Sequence, residues 1–322
     1  MMSEDRDHKF SKFIASMRAN TLKSLQTIRD IGAGAETFLS LNHHGESLED
    51  LRICVSNDTL PHISLLQGCR ALTALRVEDV HGTVDLEATQ HDVFVETIAW
   101  LRNCHNLKSL SFSKFQSGAA IITPVLLEPG VELSHLEIDS YVLKDHKGLH
   151  QALVHQQLHL RELSLAGDTD GMFRDDLDIL VDSLKQLTAL KRLSLLLPEV
   201  LRDEHFIAII QNLTQLEVLY VSGLELNDII LESIGNLPNL RDVTLSGISK
   251  FTVDGLLDFA SRLGPGNQGI RVTIDMADPD TMLADESQTV VKDFLFERTG
   301  GTLEYMPSRG MRKFCIMSVR LG

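Results

Sequence analysis

A phrase of the form Leu-x-x-Leu-x-Leu recurs about ten times along this chain and covers nearly all of it. Copies fall at Leu22/Leu25/Thr27, Leu48/Leu51/Ile53, Leu72/Leu75/Val77, Leu107/Leu110/Phe112 and Leu133/Leu136/Ile138. They continue at Leu160/Leu163/Leu165, Leu190/Leu193/Leu195, Leu216/Leu219/Val221 and Leu240/Val243/Leu245, with a degenerate copy at Gly269/Val272/Ile274. The steps between first positions are 26, 24, 35, 26, 27, 30, 26, 24 and 29 residues. Self-similarity in this range belongs to solenoids, whose units are too small to bury an apolar face alone and depend on their neighbours. The 322 residues therefore read as one elongated domain rather than two globular ones.

Each unit divides into a strand and a helix. Alternation in the second half of the phrase points Leu163 and Leu165 inward and Ser164 and Ala166 outward. After a turn the period changes to 3.6: Leu256, Phe259, Ala260 and Leu263 recur on one helical face, and Phe206, Ile209, Ile210 and Leu213 repeat the pattern. Asp228 and Asp254 stand near helix starts, where a carboxylate can accept orphan backbone N–H groups. The expected architecture is α/β: a right-handed arc with a concave parallel sheet and convex helices.

The ends read as caps. Phe10, Phe13, Ile14 and Met17 predict an amphipathic helix within residues 1–21, ahead of a solenoid at 22–300. Thr302–Met306 and Lys313–Val319 predict two strands around Pro307–Gly310, a hairpin cap over 301–322. The 35-residue step is the clear insertion, centred on Val80–Gln90; it reads first as a tolerated surface loop and second as a rim loop that binds.

Composition excludes several functions. A net charge of -15 without any Lys/Arg block opposes nucleic acid or an anionic membrane as main partner, and points to basic or mixed-charge protein surfaces. No run of 18 apolar residues predicts a membrane span, and no apolar signal core follows Met1–Asp7. Cys54, Cys69, Cys104 and Cys315 have neither disulfide nor zinc spacing, which fits a reduced chain of the cytoplasm or nucleus. Cys69 and Cys104 share one repeat position, that of a small buried side chain under a helix end.

Catalytic signatures are missing. No G-x-x-x-x-G-K or G-x-S-x-G occurs, and the glycine-rich Gly264–Gly269, whose spacing matches G-x-G-x-x-G, follows a helix and reads as its C-terminal turn. His146/His150 and His155/His159 have i,i+4 spacing, but no glutamate stands beside the first histidine of either pair and the pairs are out of phase. They read as exposed or capping histidines. No cofactor, no metal and no enzymatic activity are expected.

The position three residues after the last strand leucine holds Val80, Phe115, Tyr141, Leu224 or Ile248, so the asparagine ladder of short-period repeats is absent. The longer period, the post-strand helix and the phrases Gly68–Leu75, Asn103–Leu110, Leu226–Ile230 and Phe251–Leu256 resemble another group. They look like the ribonuclease-inhibitor-like leucine-rich-repeat superfamily, nearest to the repeat arrays of F-box/leucine-rich-repeat proteins. The likeness covers about residues 20–280 and is more specific for fold than for function. It implies a protein-interaction module, in F-box members the substrate-binding part of a ubiquitin-ligase receptor that docks a Skp-type adaptor. The first forty residues contain no Leu-Pro-x-Glu-like phrase, so an F-box either lies upstream of this chain or does not belong to it. A free-standing scaffold or regulator is the alternative. A GTPase activator of the Ran type is a weaker one, because its acidic tail is missing where the chain reads Arg320–Gly322.

In such arrays the third and fifth phrase positions line the concave face. They are Asp50/Arg52, Ala74/Arg76 and Ser109/Ser111, then His135/Glu137, Glu162/Ser164, Arg192/Ser194, Val218/Tyr220 and Asp242/Thr244. The stretch from His135 to Thr244 is the expected recognition surface, with small hydroxyls that admit a partner backbone and Arg192 and Tyr220 as anchors.

Overall fold

The computed structural model describes residues 2–28, 32–142, 146–168, 174–197, 201–223, 226–277 and 282–307. Its strands are β1 (Ser24–Gln26), β2 (Asp50–Val55), β3 (Ala74–Asp79), β4 (Ser109–Ser113), β5 (His135–Val142) and β6 (Glu162–Asp168). They continue as β7 (Arg192–Leu196), β8 (Val218–Ser222), β9 (Leu226–Asn227), β10 (Asp242–Lys250), β11 (Arg271–Ala277) and β12 (Thr302–Pro307). All except β9 follow one another in chain order in a single sheet, and β9 pairs with the far end of β10. Every recorded pairing is parallel, as a strand–helix–strand repeat demands.

The helices are α1 (Met2–Ser16), α2 (Ala35–Leu41), α3 (Leu86–Thr89), α4 (His91–Arg102), α5 (Gly118–Leu126) and α6 (Lys147–Leu153). After them come α7 (Arg174–Leu184), α8 (Asp203–Ile210), α9 (Asp228–Gly235), α10 (Val253–Arg262) and α11 (Asp285–Thr299). They form the second layer, in which α1 packs on α2 and each helix from α3 to α10 packs on the next. One unit departs from the helical pattern: Leu60–Gly68, which opens with Pro61, winds as a 3₁₀ helix.

The phrase sets the register without a slip. Leu51, Leu75, Leu110, Leu136, Leu163, Leu193, Leu219, Val243 and Val272 are successive neighbours across the sheet, and the residues two further on form a second inward row. Both rows join one unbroken apolar core that runs from Ile14 to Tyr305. Each buried leucine contributes on the order of 1.5–3 kcal/mol, so stability accumulates unit by unit.

Two polar devices complete the stack where an asparagine ladder would otherwise act. At the entries of β2 to β8 and of β10, two consecutive N–H groups converge on a single carbonyl of the preceding repeat. Glu49 and Asp50 donate to Lys23 at 2.8 and 3.1 Å, Lys108 and Ser109 to Thr73 at 2.8 and 3.0 Å, and Glu217 and Val218 to Lys191 at 2.8 and 3.0 Å. At the helix exits, side-chain amides bind backbone left unpaired by the turn. Gln156, fully inside, donates to the carbonyls of Leu126 and Val131 and accepts from the Leu133 N–H. Asn267 does the same for Leu237, Leu240 and Gly264.

Several local features differ from the sequence reading. The helix starts of α9 and α10 are capped by Asn227 and Thr252, not by Asp228 and Asp254. Asp228 instead reaches the next repeat and accepts from the Thr252 N–H at 2.9 Å and its hydroxyl at 2.6 Å. In α1, Ile14 is buried and Phe10 and Met17 are partly covered, but Phe13 is 62% exposed. Asp7 ties this helix to α2 by accepting from Gly34 N at 2.7 Å, Thr37 N at 3.1 Å and Thr37 Oγ1 at 2.6 Å. Burial opposes ionisation of that carboxyl, yet the bonds from Thr37, Gly34 and Glu36 hold it below its ordinary pKa.

β12 continues the sheet beyond β11. After Gly300, whose φ of 67° ends α11, Thr302–Pro307 pairs in parallel with β11 as a further rung, with Leu303 and Tyr305 inward. The second strand of the hairpin, 313–319, lies outside the described residues, as does Cys315. The insertion at 80–90 is anchored: α3 sends Leu86 into the core, and Ser117 accepts from the Leu86 N–H at 2.7 Å while donating to Asp85 at 2.9 Å.

Candidate protein-binding face

The pleat that sends the leucines inward places the intervening residues together on the opposite side. His135, Glu137, Glu162, Ser164, Arg192, Ser194, Val218, Tyr220, Asp242 and Thr244 all lie on that one face and are all half-buried. They stand side by side in two rows: His135 next to Glu162, Arg192, Val218 and Asp242, and Glu137 next to Ser164, Ser194, Tyr220 and Thr244.

The geometry joins some of them electrostatically. Glu162 is the centre of a chain of polar contacts, with His135 Nδ1 3.2 Å from one carboxylate oxygen and Arg192 Nε 3.5 Å from the other. Glu137 accepts from Ser111 at 2.6 Å and lies 3.5 Å from Arg76, which reaches over β4 to meet it. Asp242 pairs with Arg271 at 2.5 Å. Arg192 is thus a held side chain rather than a free one, and such half-exposed pairs orient groups more than they stabilise the fold.

A third row, one position beyond the last phrase leucine, extends the face and was not part of the sequence-based set. It includes Glu78, Ser113, Asp139, Ala166, Leu196, Ser222, Ser246 and Asp275. Glu78 lies 3.8 Å from Lys114, and Ser113 donates to Asp139 at 2.8 Å. Extending the two-residue period one step past the phrase would have found it. From β6 to β10 this row is small or apolar, with Ala166, Ser222 and Ser246 buried at its floor. Tyr220 lies beside it; burial first, and then the charge of Asp275, pushes its hydroxyl above the ordinary tyrosine pKa.

The histidine pairs do not converge. His150 is fully buried, against the expectation of an exposed or capping residue, while His155 and His159 are exposed. Neither ring nitrogen of His150 makes a hydrogen bond among the described residues. Burial, reinforced by the charge of His146 and opposed by Asp176, pushes its pKa down to about 4, so the ring is neutral at pH 7. Among the described residues no three His, Cys, Asp or Glu side chains are grouped to hold a metal ion, and no helix is long and apolar enough to cross a membrane.

Two solved structures are similar to the chain. An internalin (inlF) from Listeria monocytogenes superimposes with a TM-score of 0.47 at 14% identity, covering 96% of this chain and 90% of its own. The crystal structure of a Rad7 and Elc1 complex in yeast matches with a TM-score of 0.53 at 14% identity, covering 97% of this chain and 85% of the other. At this identity the likeness concerns the fold, a leucine-rich-repeat solenoid. No protein-family model and no curated protein sequence matches the chain.

Proposed function

We propose that the chain is a non-catalytic protein-binding solenoid whose recognition surface is the concave strip from His135 to Thr244. The observation that carries this reading is the strip's composition. Ser164, Ser194, Ser222 and Ser246 give it small side chains, and half-buried Arg192 and Tyr220 lie among them. A partner backbone can approach such small side chains closely, and arginine and tyrosine are the residue types that dominate binding energy at interfaces. Glu162 already restrains Arg192, which lowers the entropy lost when a partner orders it. With a net charge of -15, and with Asp242, Asp275 and Glu304 toward one end of the face, the partner is a protein segment of basic or mixed charge. The setting is cytoplasmic or nuclear.

The test is affinity capture of the tagged chain from its own cells with mass spectrometry, repeated with Arg192→Glu/Tyr220→Ala. Loss of the reproducible partners in the variant supports the concave strip; an unchanged partner set rejects it.

A narrower reading is the substrate-binding part of a ubiquitin-ligase receptor. It rests on the repeat resemblance to F-box/leucine-rich-repeat proteins and on the likeness to the Rad7 and Elc1 complex. Recovery of a Skp-type adaptor in the same capture supports it, and partners without one favour a free-standing scaffold. Stimulated GTP hydrolysis in a GTPase panel would instead favour the Ran-type activator.

A further inference from the structure

The last rung of the sheet is less covered than those before it. On the inward side Leu303 and Tyr305 keep 6% and 9% exposure, where Val272 and Ile274 keep 2% and 0%. On the other face Asp242 and Thr244 of β10 are half-buried, but Thr302, Glu304 and Met306 of β12 are exposed. Among the described residues β12 pairs only with β11. The Thr302 N–H donates toward β11, to Ile270 at 2.9 Å. Strand N–H groups alternate sides, so those of Leu303 and Tyr305 point to the outer edge. Pro307, which has no N–H, ends that row. An edge of this kind is a template for one more strand.

The chain itself carries a segment of matching pattern. Residues 313–319 lie outside the described residues, and their sequence alternates Phe314 and Ile316 with Lys313, Cys315 and Met317. Laid antiparallel to β12 with Phe314 opposite Tyr305, this segment sets Ile316 opposite Leu303 and Cys315 opposite Glu304. Phe314 and Ile316 then prolong the two inward rows by one rung. A slip of one residue would turn Lys313 and Cys315 to the core side instead. Charge points the same way. Residues 308–322 carry Arg309, Arg312, Lys313 and Arg320 and no carboxylate. Residues 282–307 carry Asp285, Glu286, Asp293, Glu297 and Glu304 against Lys292 and Arg298.

We infer that residues 313–319 form an antiparallel strand on the outer edge of β12 and close the sheet there against a further chain. Leu303 with Ile316, and Tyr305 with Phe314, exchange paired backbone hydrogen bonds. Glu304 and Cys315 form the non-bonded pair between them, with Cα atoms about 4.5 Å apart. This strand is the antiparallel exception in a parallel sheet.

Cysteine cross-linking of the full chain tests the register. Cys69 and Cys104 are inside the core, so a Cys54→Ser background leaves Cys315 as the thiol outside it. Glu304→Cys, Thr302→Cys and Met306→Cys are added singly, at sites whose exposure spares the fold. A directly opposite pair meets the geometry of a disulfide, whereas the two diagonal sites are about 7–8 Å from Cys315. The expected result under mild oxidation is an intramolecular disulfide with Cys315 that closes at least roughly tenfold faster from Glu304→Cys than from the other two. Phe314→Asp/Ile316→Asp should abolish that preference, because it sets charge on the inward rows. A loose tail gives another order: the shortest loop closes first, so Met306→Cys leads and Thr302→Cys trails by a small margin. That order overturns the proposal. So does a disulfide between two molecules, which puts a second copy on the edge, or no disulfide from any site, which puts the segment elsewhere. Survival of the Glu304→Cys preference in the Phe314→Asp/Ile316→Asp variant overturns it as well.

Discussion

Gln156 donates from its side-chain amide to the carbonyl of Leu126 at 3.0 Å, thirty residues earlier, and so joins the exit of one repeat to that of the one before. The same side chain serves Val131 and Leu133, all in the interior. Gln156→Ala strands these backbone groups, and the expected loss is roughly 1–3 kcal/mol of unfolding free energy. Asn267→Ala should behave alike, whereas Gln157→Ala, on the exposed side of the same turn, should cost under about 0.5 kcal/mol. Urea titrations of the three variants decide it; equal, small effects would mean the amides are not staples.

His150 makes stability depend on pH with a definite sign. Its folded pKa, down at about 4, is below the 6.5 of the free side chain, so the unfolded chain binds more protons between these values. Its contribution is complete above about pH 6.5 and is lost as pH falls toward about 4, to a limit of roughly 3 kcal/mol. His150→Gln should flatten that part of the stability curve. An unchanged slope in the variant would locate the acid sensitivity elsewhere.

Asp203 acts in the opposite direction. Burial at the head of α8, which leaves both carboxylate oxygens without a hydrogen-bond partner and outweighs the opposing influence of nearby Asn227, raises its pKa from 3.8 to about 6. The folded chain holds this proton more tightly, so ionisation costs stability as pH rises from about 4 to about 6. Asp203→Asn should therefore stabilise the protein at pH 7, by on the order of 1 kcal/mol once solvent screening of a half-buried group is allowed for. Melting temperatures of this variant and the wild type at pH 4 and pH 7 check it: the gain should appear at pH 7 and shrink at pH 4.

Cys69 and Cys104 are inside the core, and burial pushes both thiols up to about 12. In a Cys54→Ser/Cys315→Ser background the native protein should react with a disulfide reagent at pH 8 only as fast as it opens. Two thiols should then appear on adding denaturant. Rapid labelling of the folded protein would contradict this burial.

What could be read from the sequence was whatever repeats locally. Leu163 and Leu165 declare their direction by a two-residue period, and the same period puts Ser164, Ser194 and Thr244 on the other face. Gln156 and Asn267 carry no such mark, because their partners are carbonyls supplied by the preceding repeat. Asp228 looked like a local cap because it stands at a helix start, yet its partner is Thr252 in the next repeat. Thr302–Met306 alternates as any strand does, and alternation alone does not say that it joins β11 in parallel. Arg76 meets Glu137 across an intervening strand, a distance that no phrase within one repeat encodes.

The paired N–H groups that converge on one carbonyl at the entries of β2 to β8 and of β10 also set how the protein responds to force. Neighbouring repeats are held by a small cluster of bonds at each junction, arranged one after another from end to end. Pulled by its termini, the chain carries the same tension through every junction and yields where one repeat peels from the next. Each 26-residue repeat released adds roughly 9 nm of extended chain, so extension should proceed in steps. The protein is then a tether whose length is counted in repeats.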